Sequence, residues 1–355
     1  MLIKTIKIKE MKTTFKITAL LILVMVLGAG KTVLAVEKTK KFSEKWAAAG
    51  IENLNVSNKF GEVKIVNEGG PDVTIDVLVT VEGSNENKVT EMLKRIDVSF
   101  GKTGNTAKAE TSIEDNYNFN GKFTIDYVVN IPSEKNLEIS NKYGNVIVNK
   151  LTGTGRFDIK YGNITAVSLK GTKTQLNLGY GKGNITETGN LDTEISYSTI
   201  SFGEIMNFRL NSKYSAIEVE KAKEVQADSK YDKLNLGELV SLTAVTKYTN
   251  IRIAKITKSL RLENGYGGIK VEEIAPDFES VNVTSSYGQI SLGLNNASYT
   301  LDANCEYCGI SYPQDRFKGN RMKENTSFEL KGKIGTAGGG TVTVKSRYGE
   351  IKLAE

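Results

Sequence analysis

One stretch recurs along this chain and limits what it can fold into. Its clearest copy is Val281-Asn282-Val283-Thr284-Ser285-Ser286-Tyr287-Gly288-Gln289-Ile290-Ser291-Leu292, two short runs of period two meeting at an aromatic-glycine corner. Twelve copies are centred on Phe60, Tyr143, Tyr161, Tyr180, Tyr197, Tyr214, Tyr231, Tyr248, Tyr266, Tyr287, Tyr307 and Tyr348. From Tyr143 to Tyr307 the steps are 18, 19, 17, 17, 17, 17, 18, 21 and 20 residues, a solenoid period. No copy has enough apolar surface to bury its inner face alone, so stacked copies must supply a common core. The expected fold is all-β: a single-stranded parallel β-helix of about twelve rungs of 17–21 residues, spaced about 4.8 Å apart.

Counting from the aromatic residue as zero, apolar side chains recur six and four before it (Phe208/Leu210, Leu260/Leu262, Val281/Val283). They recur again three and five after it (Ile217/Val219, Leu234/Leu236, Ile251/Ile253), and eight after it at Leu151, Leu169, Ile205, Leu239, Ile256 and Ile274. Even offsets before zero place the aromatic ring on the inward face, where Tyr143, Tyr161, Tyr180, Tyr197, Tyr214, Tyr231, Tyr248, Tyr266, Tyr287, Tyr307 and Tyr348 would form an internal stacked ladder. The alternative, an exposed strip that binds glycans, is disfavoured by that parity. The position two before zero is also inward and mostly small and polar (Asn58, Asn141, Ser212, Ser229, Thr246, Asn264, Ser285, Ser346), which calls for a ladder of side-chain hydrogen bonds. Gly144, Gly162, Gly267 and Gly288 are expected at the bend, some with positive φ.

The chain divides into residues 1–35, 36–66, 67–136 and 137–355. Lys12 and Lys16, the uncharged run from Ile17 to Gly30, and Val33-Leu34-Ala35 read as a secretory signal peptide cleaved after Ala35, with Met11 a plausible start. The apolar run is short for a membrane-spanning helix. This segment carries +5 of the chain's +6, leaving +1 for the mature protein, so its basic pI does not point to nucleic acid. Gly28-Ala29-Gly30-Lys31-Thr32 resembles the end of a phosphate-binding loop, but Met25 stands where the first glycine belongs. Residues 36–66 hold a lead-in with Trp46 and the first rung. Residues 67–136 interrupt the repeat with strands and one helix over Glu86 to Ile96, capped by Ser84 or Asn85, as a small element resting on the solenoid end.

Histidine is absent and only Cys305 and Cys308 are present, which removes histidine bases, Ser-His and Cys-His nucleophiles and a protein zinc site built from cysteines alone. No cofactor is implied. Cys305 falls at the inward small position and Cys308 at the corner. They read as a small buried residue or a local disulfide, because a redox Cys-x-x-Cys needs a helix N-terminus. The column just before the aromatic residue is biased to positive charge: Lys142, Lys160, Lys213, Lys230 and Lys247, the last three on consecutive rungs. Either it is a solvated edge that discourages sheet-to-sheet association, or it meets an anionic polymer such as envelope polysaccharide.

The export signal, the early broken rung, Tyr127-Val128-Val129-Asn130-Ile131-Pro132-Ser133 and Leu137-Glu138-Ile139-Ser140-Asn141-Lys142-Tyr143-Gly144-Asn145-Val146 are together similar to the bacterial putative-adhesin family of β-strand-repeat proteins of unknown function. That resemblance implies an exported β-solenoid of the cell envelope and carries no catalytic residues. The expected function is non-enzymatic, adhesin-like binding or scaffolding, with envelope polysaccharide or another envelope protein as partner. The alternatives are a carbohydrate-active enzyme using paired carboxylates, or a partner-binding component of envelope signalling.

Overall fold

The computed structural model describes residues 35–354 apart from 115–117, 296 and 337, so the expected signal segment lies, but for Ala35, outside the described residues. Strands make up 71% of it and helix 4%, in an all-β solenoid. The strands are β1 Val36–Ala47, β2 Asn53–Lys59, β3 Val63–Val66, β4 Asp72–Gly83, β5 Ile96–Thr103, β6 Thr106–Ile113, β7 Gly121–Asn130, β8 Asn136–Lys142 and β9 Val146–Leu151. They continue as β10 Gly155–Lys160, β11 Ile164–Leu169, β12 Thr174–Gly179, β13 Lys182–Ser196, β14 Thr199–Lys213, β15 Ala216–Lys230, β16 Lys233–Lys247, β17 Asn250–Tyr266 and β18 Ile269–Ile274. The last are β19 Ser280–Tyr287, β20 Ile290–Gly293, β21 Tyr299–Glu306, β22 Ile310–Ser311, β23 Phe317–Lys323, β24 Ser327–Ile334, β25 Gly340–Arg347 and β26 Ile351–Ala354.

Rungs pair in parallel with every repeat position in register, so that Leu210 lies beside Ala227 and Ala227 beside Ala244. In β15 the alternation of buried and exposed residues resets at Glu220-Lys221 and at Lys223-Glu224, and it resets again at Lys230-Tyr231 after the strand ends. Three resets per turn give three short sides around one apolar column. Ile217, Val219, Ala222, Val225 and Ala227 face that column, as do their equivalents above and below. These are the positions three, five and eight after, and six and four before, the aromatic residue. Because the core is a line rather than a ball, each added turn buries its own inner face and the stack extends without outgrowing a core.

The coil that follows chain order has about nine turns, those of Tyr143 through Tyr287, rather than the twelve expected. The other three copies join the stack out of order. At the N-terminal end β2 is sandwiched in parallel between β6 and β8, and β3 between β7 and β9. Residues 67–136 thus contain a helix, α1 Glu86–Arg95, and also supply the outermost rung. The Asn85 side chain caps α1 by accepting from the Lys88 amide at 3.1 Å, and α1 lies against β1 and β4. At the C-terminal end β25 is inserted between β19 and β21, and β26 between β20 and β22. Both ends are then closed by antiparallel strands: β1–β4–β7 and β5–β6 at one, β21–β24–β23 at the other. Such strands cover parallel edges that would otherwise template aggregation.

Candidate functional site

The residue at the corner is not inward. Phe60 and the eleven tyrosines are 36–54% exposed, so the inward orientation expected from parity is corrected. The cause is local. Phe60, Tyr143, Tyr161, Tyr180, Tyr197, Tyr214, Tyr231, Tyr248, Tyr307 and Tyr348 have φ between +52° and +62°. Even-offset counting assumes extended backbone, and a left-handed residue breaks the alternation at the aromatic itself. Positions minus one and zero both turn to solvent, and position plus one turns in: Lys213 and Tyr214 are exposed and Ser215 is buried. In the rungs of Tyr266 and Tyr287 the tyrosine is not left-handed; Gly267 and Gly288 carry φ of +117° and +138° instead.

The rings do form a ladder, on the outside. Successive centroids are 4.6–5.1 Å apart with interplanar angles of 2–15°, in the order Phe60, Tyr143, Tyr161, Tyr180, Tyr197, Tyr214, Tyr231, Tyr248, Tyr266, Tyr287, Tyr348, Tyr307. Phe123 closes the first end, tilted against Phe60 at 5.0 Å. Each interior ring has both faces against neighbours, so the surface presented to solvent is mainly ring edges and phenolic hydroxyls. A left-handed non-glycine residue costs roughly 1–2 kcal/mol. A stacked aromatic pair returns about 0.5–1.5 kcal/mol beyond its buried area. Stacking therefore makes tyrosine tolerable at the corner, but Asn or Gly would sit there without needing an offset.

Beneath the ridge, a polar column holds the corners in register. The Gly181 amide donates to Ser198 Oγ at 3.1 Å, the Ser198 amide to Ser215 Oγ at 3.2 Å, the Ser215 amide to Asp232 Oδ1 at 2.6 Å and the Asp232 amide to Thr249 Oγ1 at 3.2 Å. The second carboxylate oxygen of Asp232 accepts from the Ser212 and Ser229 hydroxyls, each at 2.6 Å. The inward small-polar position two before the aromatic is buried, and Asn264 there donates to the Gly267 carbonyl at 2.8 Å.

The basic column lies along one flank of the ridge. Lys213, Lys230 and Lys247 are in register on successive rungs. Lys142 Nζ sits 4.8 Å from the Tyr143 centroid and Lys247 Nζ 5.7 Å from that of Tyr248. Lys160 pairs with Asp158 at 3.8 Å and Lys230 with Asp228 at 3.4 Å. Two lysines on the other flank, Lys182 and Lys233, were not among the candidates from sequence. Each stands two residues after its tyrosine, an outward position that carries lysine in only these two of the twelve copies. Cys305 is buried and disulfide-bonded to Cys308 across its corner.

Among the described residues no group of His, Cys, Asp and Glu could hold a metal ion. Hydrogen bonds from Lys38 to Glu86, Lys170 to Glu187, Arg252 to Glu272 and Lys258 to Asp277 hold these four carboxyls below their usual range. A carboxyl held down in that way is a poor general acid.

The class defined by this geometry is a parallel β-solenoid bearing an exposed aromatic ridge. No protein-family model and no curated protein matches the chain. Solved structures similar to it include a putative cell adhesion protein from Clostridium sporogenes ATCC 15579, at 10% identity and a TM-score of 0.20, with 89% of this chain and 99% of that one covered. A putative adhesin from Parabacteroides distasonis ATCC 8503 matches at 11% and 0.34, covering 71% and 92%. Another, from Parabacteroides merdae ATCC 43184, matches at 9% and 0.32, covering 89% and 97%.

Proposed function

We propose that this chain is a non-enzymatic, exported protein of the bacterial envelope that binds, in the manner of an adhesin, through the tyrosine ridge of its solenoid, with envelope polysaccharide as its partner. The observation that carries this reading is that the aromatic residue of every repeat is turned out of the core onto one continuous line, at a backbone conformation that disfavours it in ten of twelve corners. Burial in the core does not account for those rings, which are held by stacking on one another, and strain maintained at a surface points to use of that surface. Export is supported by the charged, apolar and small-residue pattern of residues 12–35 and by a disulfide, which persists in oxidising compartments. No described helix is long and apolar enough to cross a membrane.

The test is a variant in which Tyr197, Tyr214 and Tyr231 are changed to Asn. Asn tolerates the left-handed corner, so the variant keeps its fold while losing the rings. Binding of the labelled protein to cell-envelope fractions is expected to fall sharply, with thermal unfolding within a few degrees of the parent. Undiminished binding by a folded variant would remove the ridge as the binding face.

A further inference from the structure

The ridge is not uniform along its length. Beside Tyr180 to Tyr248 runs an open groove of about 1050 Å³, bordered on one side by the rings and on the other by Lys182, Thr199, Ala216, Lys233 and Asn250. Lys182 and Lys233 stand on this far side, three rungs apart through Thr199 and Ala216. Lys213, Lys230 and Lys247 lie in register on three of the same five rungs, next to the rings but across the ridge from the groove, which they do not line. All five lysines are exposed, and the remaining positions of that column, Gly179 and Ser196, are uncharged. Of the nearby acids, Asp228 pairs with Lys230 at 3.4 Å, and Glu218, which lines a neighbouring groove together with Lys233, accepts from Ser201 Oγ at 3.3 Å. Asp232 lies buried under the ridge with its oxygens occupied by Ser212, Ser229 and the Ser215 amide. The stretch is thus a strip of phenolic hydroxyls with cations along both borders and no acid in either.

Ring stacking decides between two kinds of polysaccharide. A neutral sugar held by aromatic residues lies flat on an open ring face, and here the faces are covered by the neighbouring tyrosines at 4.8–5.0 Å. What remains is a row of O–H donors repeating at the rung spacing, between ammonium groups. Donors of that kind suit oxyanions, and charge-assisted hydrogen bonds are about twice as strong as neutral ones. Three lysines on consecutive rungs also repel one another, and an anion laid between the flanks relieves that repulsion.

We infer that the Tyr180–Tyr248 stretch binds a linear anionic polysaccharide lying along the solenoid axis, its acidic groups between the two lysine flanks and hydrogen-bonded by the tyrosine hydroxyls. The inference rests on the ridge being the binding face and adds the ligand's charge, direction and position.

The probe is polygalacturonate, which carries a carboxylate on every sugar, tested on the full chain alongside a neutral linear β-glucan and duplex DNA. Polygalacturonate is expected to bind at low salt and to weaken as the Debye length shrinks. Changing Lys182, Lys213, Lys230, Lys233 and Lys247 together to Gln, all surface substitutions, should weaken it by about tenfold or more. The Tyr197, Tyr214 and Tyr231 to Asn variant should weaken it as well. Polygalacturonate affinity unchanged by the lysine variant, equal binding of the neutral glucan, or DNA binding as tight as polygalacturonate would each overturn the inference. If envelope fractions still lose binding to the tyrosine variant, the ridge survives as the binding face and only the ligand class fails; if they do not, both readings fall.

Discussion

Tyr127 and the corner tyrosines are one residue type in opposite settings. Tyr127 is 1% exposed, with its hydroxyl 2.6 Å from that of Thr111, which in turn donates to Asn58 Oδ1 at 2.9 Å. This small network joins the first rung of the repeat to the rung outside it. Burial pushes the Tyr127 phenol from 10.0 up to about 12. The unfolded chain therefore releases this proton near pH 10 while the native state holds it to about 12. Stability from this group is full below pH 10 and declines between the two values, by about 2–3 kcal/mol in all. Denaturant titrations at pH 8 and pH 11 should show a larger loss for the parent than for Tyr127→Phe. Equal losses would mean that another group sets the alkaline limit.

At the scale of the corner, two solutions serve one bend. Where the tyrosine is left-handed, the next residue points inward, as Ser198, Ser215, Asp232 and Thr249 do. Where Gly267 or Gly288 takes the positive φ, the tyrosine keeps an ordinary one. A Cβ on Gly288 would stand 2.1 Å from the Gly267 carbonyl oxygen, whereas one on Gly268 would meet nothing nearer than Asn250 Oδ1 at 3.8 Å. Gly288→Ala is therefore expected to destabilise by about 2 kcal/mol or more, and Gly268→Ala to change stability little. Asp232→Ala removes the acceptor of a buried amide and of two hydroxyls, and should cost about 1–3 kcal/mol. Urea unfolding of the three variants checks both statements, and similar midpoints for Gly288→Ala and Gly268→Ala would refute the steric account.

At the scale of the molecule, both ends of the stack are locked by the same device: a sequence-terminal rung slotted between two others. Ending the chain after Gly339 would leave β19 and β21 each without a shared partner and β20 and β22 without β26. The truncated protein is expected to melt well below the parent and to associate through the vacated edges. A peptide spanning 340–355, added in trans, should raise its melting temperature by filling the slot. A truncated chain that stays monomeric with the parent's melting point would show that the slotted rung contributes nothing.

The period, the two alternating runs and the apolar offsets sufficed to determine a parallel solenoid and its inward apolar positions, because each of these follows from the pleat of a single rung. The polar ladder was expected two before the aromatic, whereas the side chains that link successive corners, Ser198, Ser215, Asp232 and Thr249, stand one after it. The basic column was legible in the same way, as one position outside that pleat. The side on which the tyrosines lie was not legible. Alternation counts residues on the assumption of extended backbone, and the left-handed corner breaks that count at Tyr214 and its equivalents. Tyrosine is tolerable in that conformation because the next rung brings another ring to a centroid distance of 4.6–5.1 Å, a contact between residues 17 or more apart in sequence. The second lysine flank at Lys182 and Lys233 falls at an outward position of the same alternation, but only two of its twelve copies are lysine, so no charged column stands out there. The order of the terminal rungs was also beyond the repeat, since identical edges accept any copy in register. Only the antiparallel strands that close each end leave the slots into which the rungs of Phe60 and Tyr348 fit.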